Sequence, residues 1–190
     1  MSISRPIATA LAAAGLAGVL VFGLSACSPE PAPKPSPTPS ASAEPIFASD
    51  EEALAAAVKA YEAYLRVASE ATSAKGATRD ALERVAVGTA LDDLDASIVE
   101  YQDEGFHSNG YRSLGKTDLQ SVKVSGAEVT VTIYACEDLR SFDVLDAKGE
   151  SVVLDDRVED VPYEVVAAGD SSDELSISQR VLWEGENFCL

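Results

Sequence analysis

Val129-Thr-Val-Thr-Ile-Tyr-Ala-Cys136 is the stretch that decides the fold. Val129, Val131, Ile133 and Ala135 alternate with Thr130, Thr132, Tyr134 and Cys136, so the run reads as a strand with one apolar face. Just before it, Ser121–Ser125 has the same period and is joined to it across Gly126-Ala127-Glu128, which predicts a hairpin. After it, Phe142–Leu145 and Ser151–Leu154 flank the turn Asp146-Ala147-Lys148-Gly149. Val161–Ala168 and Leu175–Trp183 read as two more strands around Gly169–Asp173. Residues 106–117 are ambiguous, with a short strand near Tyr111–Leu114 as the best reading.

Upstream of this meander the period changes to that of a helix. Ser49-Asp50-Glu51-Glu52 is a capping box, Ser49 at the N-cap and Glu52 at the third helical position. Leu54, Val58, Tyr61, Leu65 and Ala68 follow as one apolar stripe, with Glu62 and Arg66 as an i,i+4 pair on the opposite face. The helix should end around Ser73–Gly76. A short helix over Arg79–Ala86 presents Leu82 and Val85, and Gly88 breaks it. Thr89 is the expected cap of a third helix, with Leu91, Leu94, Ile98 and Tyr101 as its stripe and Gly105 as its stop. Asp92, Asp93 and Asp95 fall in its first turns, where the helix dipole favours negative charge. Helices first and strands afterwards predict an α+β domain, N-terminal helices packed on a curved antiparallel sheet.

The N-terminus carries an address. Arg5 is the only charge before an apolar run that ends in Leu24-Ser25-Ala26-Cys27. That ending resembles a bacterial lipobox, which makes residues 1–26 a lipoprotein signal peptide and Cys27 the lipidated first residue of the mature chain. An uncleaved membrane-spanning helix is the competing reading, since about 20 apolar residues suffice to cross a bilayer; a soluble secreted form is a third. The first two place Arg5 inside and everything after Cys27 outside. Residues 27–47 are Pro- and Ser-rich and read as a polyproline II tether reaching up to roughly 60 Å. Residues 48–190 then form a single domain, with room for a hydrophobic core.

Losing Arg5 with the signal leaves 13 of the 14 basic residues against 32 acidic ones, a formal −19. That field argues against nucleic-acid partners. With Cys27 committed to lipid, Cys136 and Cys189 are expected to form a disulfide, as suits an oxidising compartment. Two free thiols or half of a metal site are the alternatives, and no nearby His or third Cys completes a zinc shell.

The lipobox, the tether, the paired amphipathic helices and Thr132-Ile-Tyr-Ala-Cys136-Glu-Asp138 together resemble a group of actinobacterial lipoproteins. Phe142-Asp-Val-Leu-Asp-Ala-Lys-Gly149 and the near-terminal Cys189 fit the same pattern, over residues 48–190. Those proteins resemble members of the nuclear transport factor 2-like superfamily, in which helices wrap a bent sheet into a cone. Leu175 stands where such relatives have a tryptophan. The resemblance implies a fold and no activity, because this superfamily holds enzymes and binding domains alike.

Chemistry is sparse. His107 is the one histidine; as a general base it would stand at a pocket mouth, but a position just past a helix end makes loop or cap duty the better reading. There is no Gly-rich phosphate loop and no His-Glu-x-x-His motif. A cone-shaped fold would offer an apolar pocket, for which Tyr61, Tyr64, Tyr101, Tyr111 and Tyr134 are candidate linings and Glu100 or Asp138 the candidate carboxylate. Core duty is the plainer role for such tyrosines. Asp155-Asp156 with Glu159-Asp160, and Asp170–Glu174, read as solvated acidic loops rather than calcium sites. Arg157 and Arg180 read as surface salt-bridge partners.

The expectation is therefore a lipid-anchored, extracytoplasmic protein of the bacterial cell envelope, with no catalytic residues, no metal and no cofactor. It would serve as a protein-interaction or scaffold module for an unknown envelope protein, with a homodimer through the exposed sheet face as one form. A binder of a small apolar ligand is the alternative, and an isomerase- or dehydratase-like enzyme the second alternative.

Overall fold

The computed structural model describes residues 46–190. Cys27, the signal segment and all but the last two residues of the expected tether lie outside this range. Those two, Ile46 and Phe47, pack against the core, so the folded unit begins slightly earlier than position 48. Among the described residues no helix is long and apolar enough to cross a membrane.

Three helices come first: α1 (Asp50–Ala71), α2 (Arg79–Val85) and α3 (Gly88–Glu104). The Ser49 side chain accepts from the Glu52 amide, and the Glu52 carboxylate accepts in turn from the Ala48 amide at 2.6 Å, one residue short of the usual reciprocal partner. The buried face of α1 is wider than the expected stripe. Ala53, Ala57 and Tyr64 join Tyr61, Leu65 and Ala68, while Leu54 and Val58 sit half-buried at its edge. Arg66 pairs with Glu70 at 3.4 Å rather than with Glu62. The start of α3 also differs. Its N-cap is Val87, with no side-chain cap, so the acidic run falls beyond the first turn.

The strands β1 (His107–Gly110), β2 (Ser113–Ser125), β3 (Glu128–Asp138), β4 (Phe142–Leu145), β5 (Asp160–Gly169) and β6 (Ser176–Leu182) follow. They form an antiparallel sheet in the order β2-β3-β5-β6 and a separate β1-β4 ribbon. Helices packed on antiparallel strands make the domain α+β. The β2-β3 hairpin turns at Gly126-Ala127, with Ser125 opposite Glu128 and Gly126 at φ +67°, the positive φ that two-residue hairpins require. The ambiguous 106–117 region is two strands, broken after Gly110 (φ +83°). The expected Ser151–Leu154 strand is reduced to a bridge from Ser151 to Leu145 and a bond from the Val152 amide to the Val144 carbonyl at 2.9 Å, on the edge of β4 that β1 leaves free.

The core lies between α1 and the inner sheet face. Val129, Val131, Ile133 and Ala135 of β3 meet Val165, Ala167 and Ile177 of β5 and β6 there, with Leu82 of α2 and Leu94 of α3 closing the side. On the outer face Tyr134 contacts Trp183 and Phe188, at 5.1 and 5.7 Å between ring centroids. The C-terminal segment therefore folds back over β3, where the sulfurs of Cys136 and Cys189 stand at bonding distance.

One irregularity positions the site. Val166 pairs with Gln179 but Ala167 with Ile177, so Ser178 is an extra residue in β6. Such a bulge shifts the side-chain alternation by one. Ile177 and Arg180 are three apart, yet they pair with Ala167 and Val165, both of which face the core. The Ser178 carbonyl accepts from the Thr89 hydroxyl at 3.2 Å. Thr89, the expected helix cap, thus satisfies the bulge instead.

Candidate ligand-binding site

The inward alternation of β3 does not stop at Ala135. Two residues on, Glu137 continues on the same face and is 1% exposed. Burying a carboxylate is costly unless it is paired and hydrogen-bonded. Glu137 has both forms of compensation. Tyr61 of α1 donates its hydroxyl to Glu137 Oε1, and the Nε of Arg180 lies 2.7 Å from the same oxygen. Arg180 Nε also lies 3.0 Å from the Tyr61 hydroxyl oxygen, and its guanidinium stacks 3.6 Å from the Tyr163 ring centroid. Tyr64 stacks on Tyr61 at 5.8 Å.

Burial, reinforced by the negative charge of Glu137, pushes the Tyr61 hydroxyl well above the usual phenol range. Burial raises Tyr64 too, with Arg180 and Arg112 working against it. For Arg180 burial opposes the charge, but Tyr61 and Glu137 outweigh it and the guanidinium stays ionised. Tyr61 therefore serves as a donor, Glu137 as an acceptor and Arg180 as a fixed cation.

Glu137 and Arg180 border a cavity of about 300 Å³ that runs from Tyr64 on α1 past Leu94 of α3 to Phe142 of β4. Arg112, from the β1–β2 link, stacks 4.4 Å from the Phe142 ring centroid. Arg157 donates to the carbonyls of Phe142 and Leu139 at 2.9 and 3.0 Å and pairs with Glu159 at 3.1 Å. Its Nε is buried with no acceptor. Asp93 is exposed and also lines the cavity.

The sequence candidates divide. Tyr64 lines the cavity and Tyr61 stands behind it on Glu137. Tyr101 is half-buried on α3, its hydroxyl raised by burial and eased by Arg112; Tyr111 is 52% exposed; Tyr134 belongs to the outer face. Glu100 is exposed. Asp138 lies one residue out of phase with Glu137 and pairs with Arg140 at 3.1 Å, so neither expected carboxylate enters the cavity. Arg180 is not a surface group: it is the charge partner of Glu137. Arg157 does hold an acidic partner, but it reaches inward to carbonyls as well. His107 opens β1 and lines a different, more open cavity of about 520 Å³ with Ser69, Lys75 and Tyr111. In the expected acidic loops Asp160 pairs with Arg140 and Glu159 with Arg157. Among the described residues no group of three or more His, Cys, Asp or Glu is placed to hold a metal.

No protein-family model matches the chain, and no curated protein matches it. Among solved structures it is similar to the intermembrane space region of the chloroplast protein ARC6, at 18% identity and a TM-score of 0.48, over 68% of this chain and 95% of that one. It is also similar to TraH from the Gram-positive conjugative plasmid pIP501, at 9% identity and a TM-score of 0.39, over 74% and 98%.

Proposed function

We propose that this chain is a non-catalytic binding domain, held by a lipid on Cys27 at the outer face of a bacterial cell membrane, that takes a small ligand in the cavity beside Glu137. The observation that carries the reading is the cavity itself. It opens between the helices and the β1-β4 ribbon, its floor is the Glu137–Arg180 pair backed by Tyr61, and its walls mix aromatic rings with guanidinium groups. The few convergent polar groups on an aromatic lining are the anatomy of a small-molecule site. The walls are more polar than an apolar-ligand pocket would be. Glu137 is engaged by two donors, which suits it to holding the site's shape rather than to moving protons. The placement outside the membrane rests on the Leu24–Cys27 lipobox and on the Cys136–Cys189 pair. The nuclear transport factor 2-like resemblance agrees with helices laid over one sheet face.

A native mass spectrum of the mature chain released from its own membrane tests the reading. A reproducible added mass of a few hundred daltons, lost when Tyr64 is replaced by Trp to fill the cavity, supports it; a bare chain from several preparations overturns it. Lipid labelling tests the anchor separately, since Cys27→Ala should abolish it.

A second reading is a protein-interaction module. It is favoured by β6, an edge strand on which Val181 and Leu182 are 45% and 53% exposed. Unpaired edges with apolar side chains are ready sites for pairing with another chain. The outer face of β3 is covered by the chain's own C-terminal segment, and the start of β6 is bridged by Ala86 and Val87 at Ile177, so the surface in question is the Val181–Leu182 end of this edge. Sedimentation of the wild type and Leu182→Lys decides: a dimer that the substitution dissociates favours this reading, and a monomer in both removes the homodimer.

A further inference from the structure

Three of the eight arginines, Arg112, Arg157 and Arg180, line one cavity in a chain of formal charge −18. Two of these charges are answered inside the protein. Arg180 lies 2.7 Å from Glu137, and Arg157 lies 3.1 Å from Glu159. Arg112 is different. Among the described residues no carboxylate stands within ion-pair distance of it, and its guanidinium rests on the Phe142 ring. Arg157 is committed to the protein and holds the wall in place, since its Nη1 donates to the Phe142 carbonyl while Arg112 covers the Phe142 ring.

One unanswered positive charge beside an aromatic wall specifies a ligand class. We infer that the cavity takes a small organic monocarboxylate, its carboxylate received by Arg112 and its apolar body laid against Phe142, Tyr163 and Leu139. The planar guanidinium fork matches a carboxylate in shape and charge, and charge-assisted hydrogen bonds of this kind are the strong ones. Arg112 is the one of the three arginines without a carboxylate partner among the described residues, and Asp93 stands at the rim, which sets a monoanion apart from phosphate or a dicarboxylate. The lining of Tyr64, Leu139, Val144 and Tyr163 calls for an organic body rather than a bare inorganic ion. This inference rests on the reading of the cavity as a ligand site and adds the charge and class of the ligand.

Equilibrium dialysis of the full chain, purified in detergent, tests it. The probes are radiolabelled benzoate and hexanoate, the neutral amides of both, and inorganic phosphate. At least one carboxylate should bind saturably, at least tenfold more tightly than its own amide and than phosphate. Arg112→Gln should weaken that binding at least tenfold, and Arg112→Lys, which keeps the charge without the fork, should weaken it less. Circular dichroism checks that both variants fold; if Arg112→Gln does not, the carboxylate-to-amide ratio of the wild type and Arg112→Lys decide. Amide binding as tight as carboxylate binding overturns the charge assignment and leaves the cavity reading standing. Preferred phosphate binding, or carboxylate binding indifferent to Arg112→Gln, also overturns it. Binding of none of the probes overturns the inference, and the native mass spectrum then judges the cavity reading on its own.

Discussion

Replacing Arg180 by Met removes the positive charge that answers Glu137 and keeps much of the side-chain length over Tyr163. Glu137 is 1% exposed and has two side-chain donors, Tyr61 and Arg180. Stranding a buried charge by deleting its partner costs about 3–5 kcal/mol. The surviving Tyr61 bond argues for the lower end, about 3 kcal/mol. That is a large share of the roughly 5–15 kcal/mol that stabilises a native domain. Glu137→Gln is milder for a structural reason. The Arg180 side chain is 20% exposed and reaches water, and a Gln oxygen still accepts from Tyr61, so about 1–2 kcal/mol is expected. The double variant Glu137→Leu with Arg180→Met has no charge left to strand. It should lose less than Arg180→Met alone, because apolar replacement of a whole buried pair is often neutral or favourable. Urea unfolding followed by far-ultraviolet circular dichroism, under non-reducing conditions, measures all three. A loss under 1 kcal/mol for Arg180→Met, or additive losses in the double variant, would refute the view that this pair is a coupled, desolvated unit.

The remaining predictions address the frame around that pair. Cys136→Ser and Cys189→Ser should each cost about 4 kcal/mol, given a separation of 53 residues, and the double variant should add little; clearly additive urea midpoints would show that the two act independently. Gly110→Ala should cost about 2–4 kcal/mol by thermal melting, because the backbone is left-handed there (φ +83°) and a Cβ would fall 1.8 Å from the Ser141 carbonyl oxygen; an unchanged melt would mean that the β1-β4 ribbon yields freely. Alkaline pH should destabilise the domain through Tyr61 and Tyr64, whose hydroxyls are raised by burial. The unfolded chain loses these protons near pH 10 while the folded one keeps them, so stability is full below about pH 10 and falls above it, by about 1.4 kcal/mol per pH unit per tyrosine until the folded groups ionise. Urea midpoints at pH 8, 10 and 11 read this slope, and Tyr61→Phe should reduce it.

The helices and the meander were legible because their signals are local and periodic. Ser49 with Glu52 started α1, Gly105 in the left-handed conformation ended α3, and the Val129–Ala135 alternation put the right side chains of β3 into the core. What failed did so where a long-range partner overrode a local signal. Residues 107–110 read as ambiguous because their strand exists only through pairing with β4, a contact across about 35 residues that no window of sequence displays. Thr89 has the chemistry of a cap and uses it on a β6 carbonyl instead.

The site was half legible, and the two halves show why. Glu137 could have been found: the Val129, Val131, Ile133, Ala135 alternation, carried one step further, points it inward, and a carboxylate in phase with a core stripe demands a cation. Asp138 drew attention as the more familiar acid but lies on the opposite phase. Arg180 could not have been found by the same rule. From Ile177 an unbroken alternation sends it outward, to the solvent role expected of a lone arginine on an edge strand. The extra residue Ser178 reverses that phase, and nothing in Ser176–Leu182 marks a bulge. The cation that makes Glu137 tolerable is thus delivered by a backbone irregularity, itself tied down by Thr89 from α3. Were β6 to pair without the bulge and with every residue kept, Gln179 would fall opposite Val165 and Arg180 opposite Glu164, on the outward phase. The buried acid would then lose its cation, which makes the bulge as much a part of the site as the arginine.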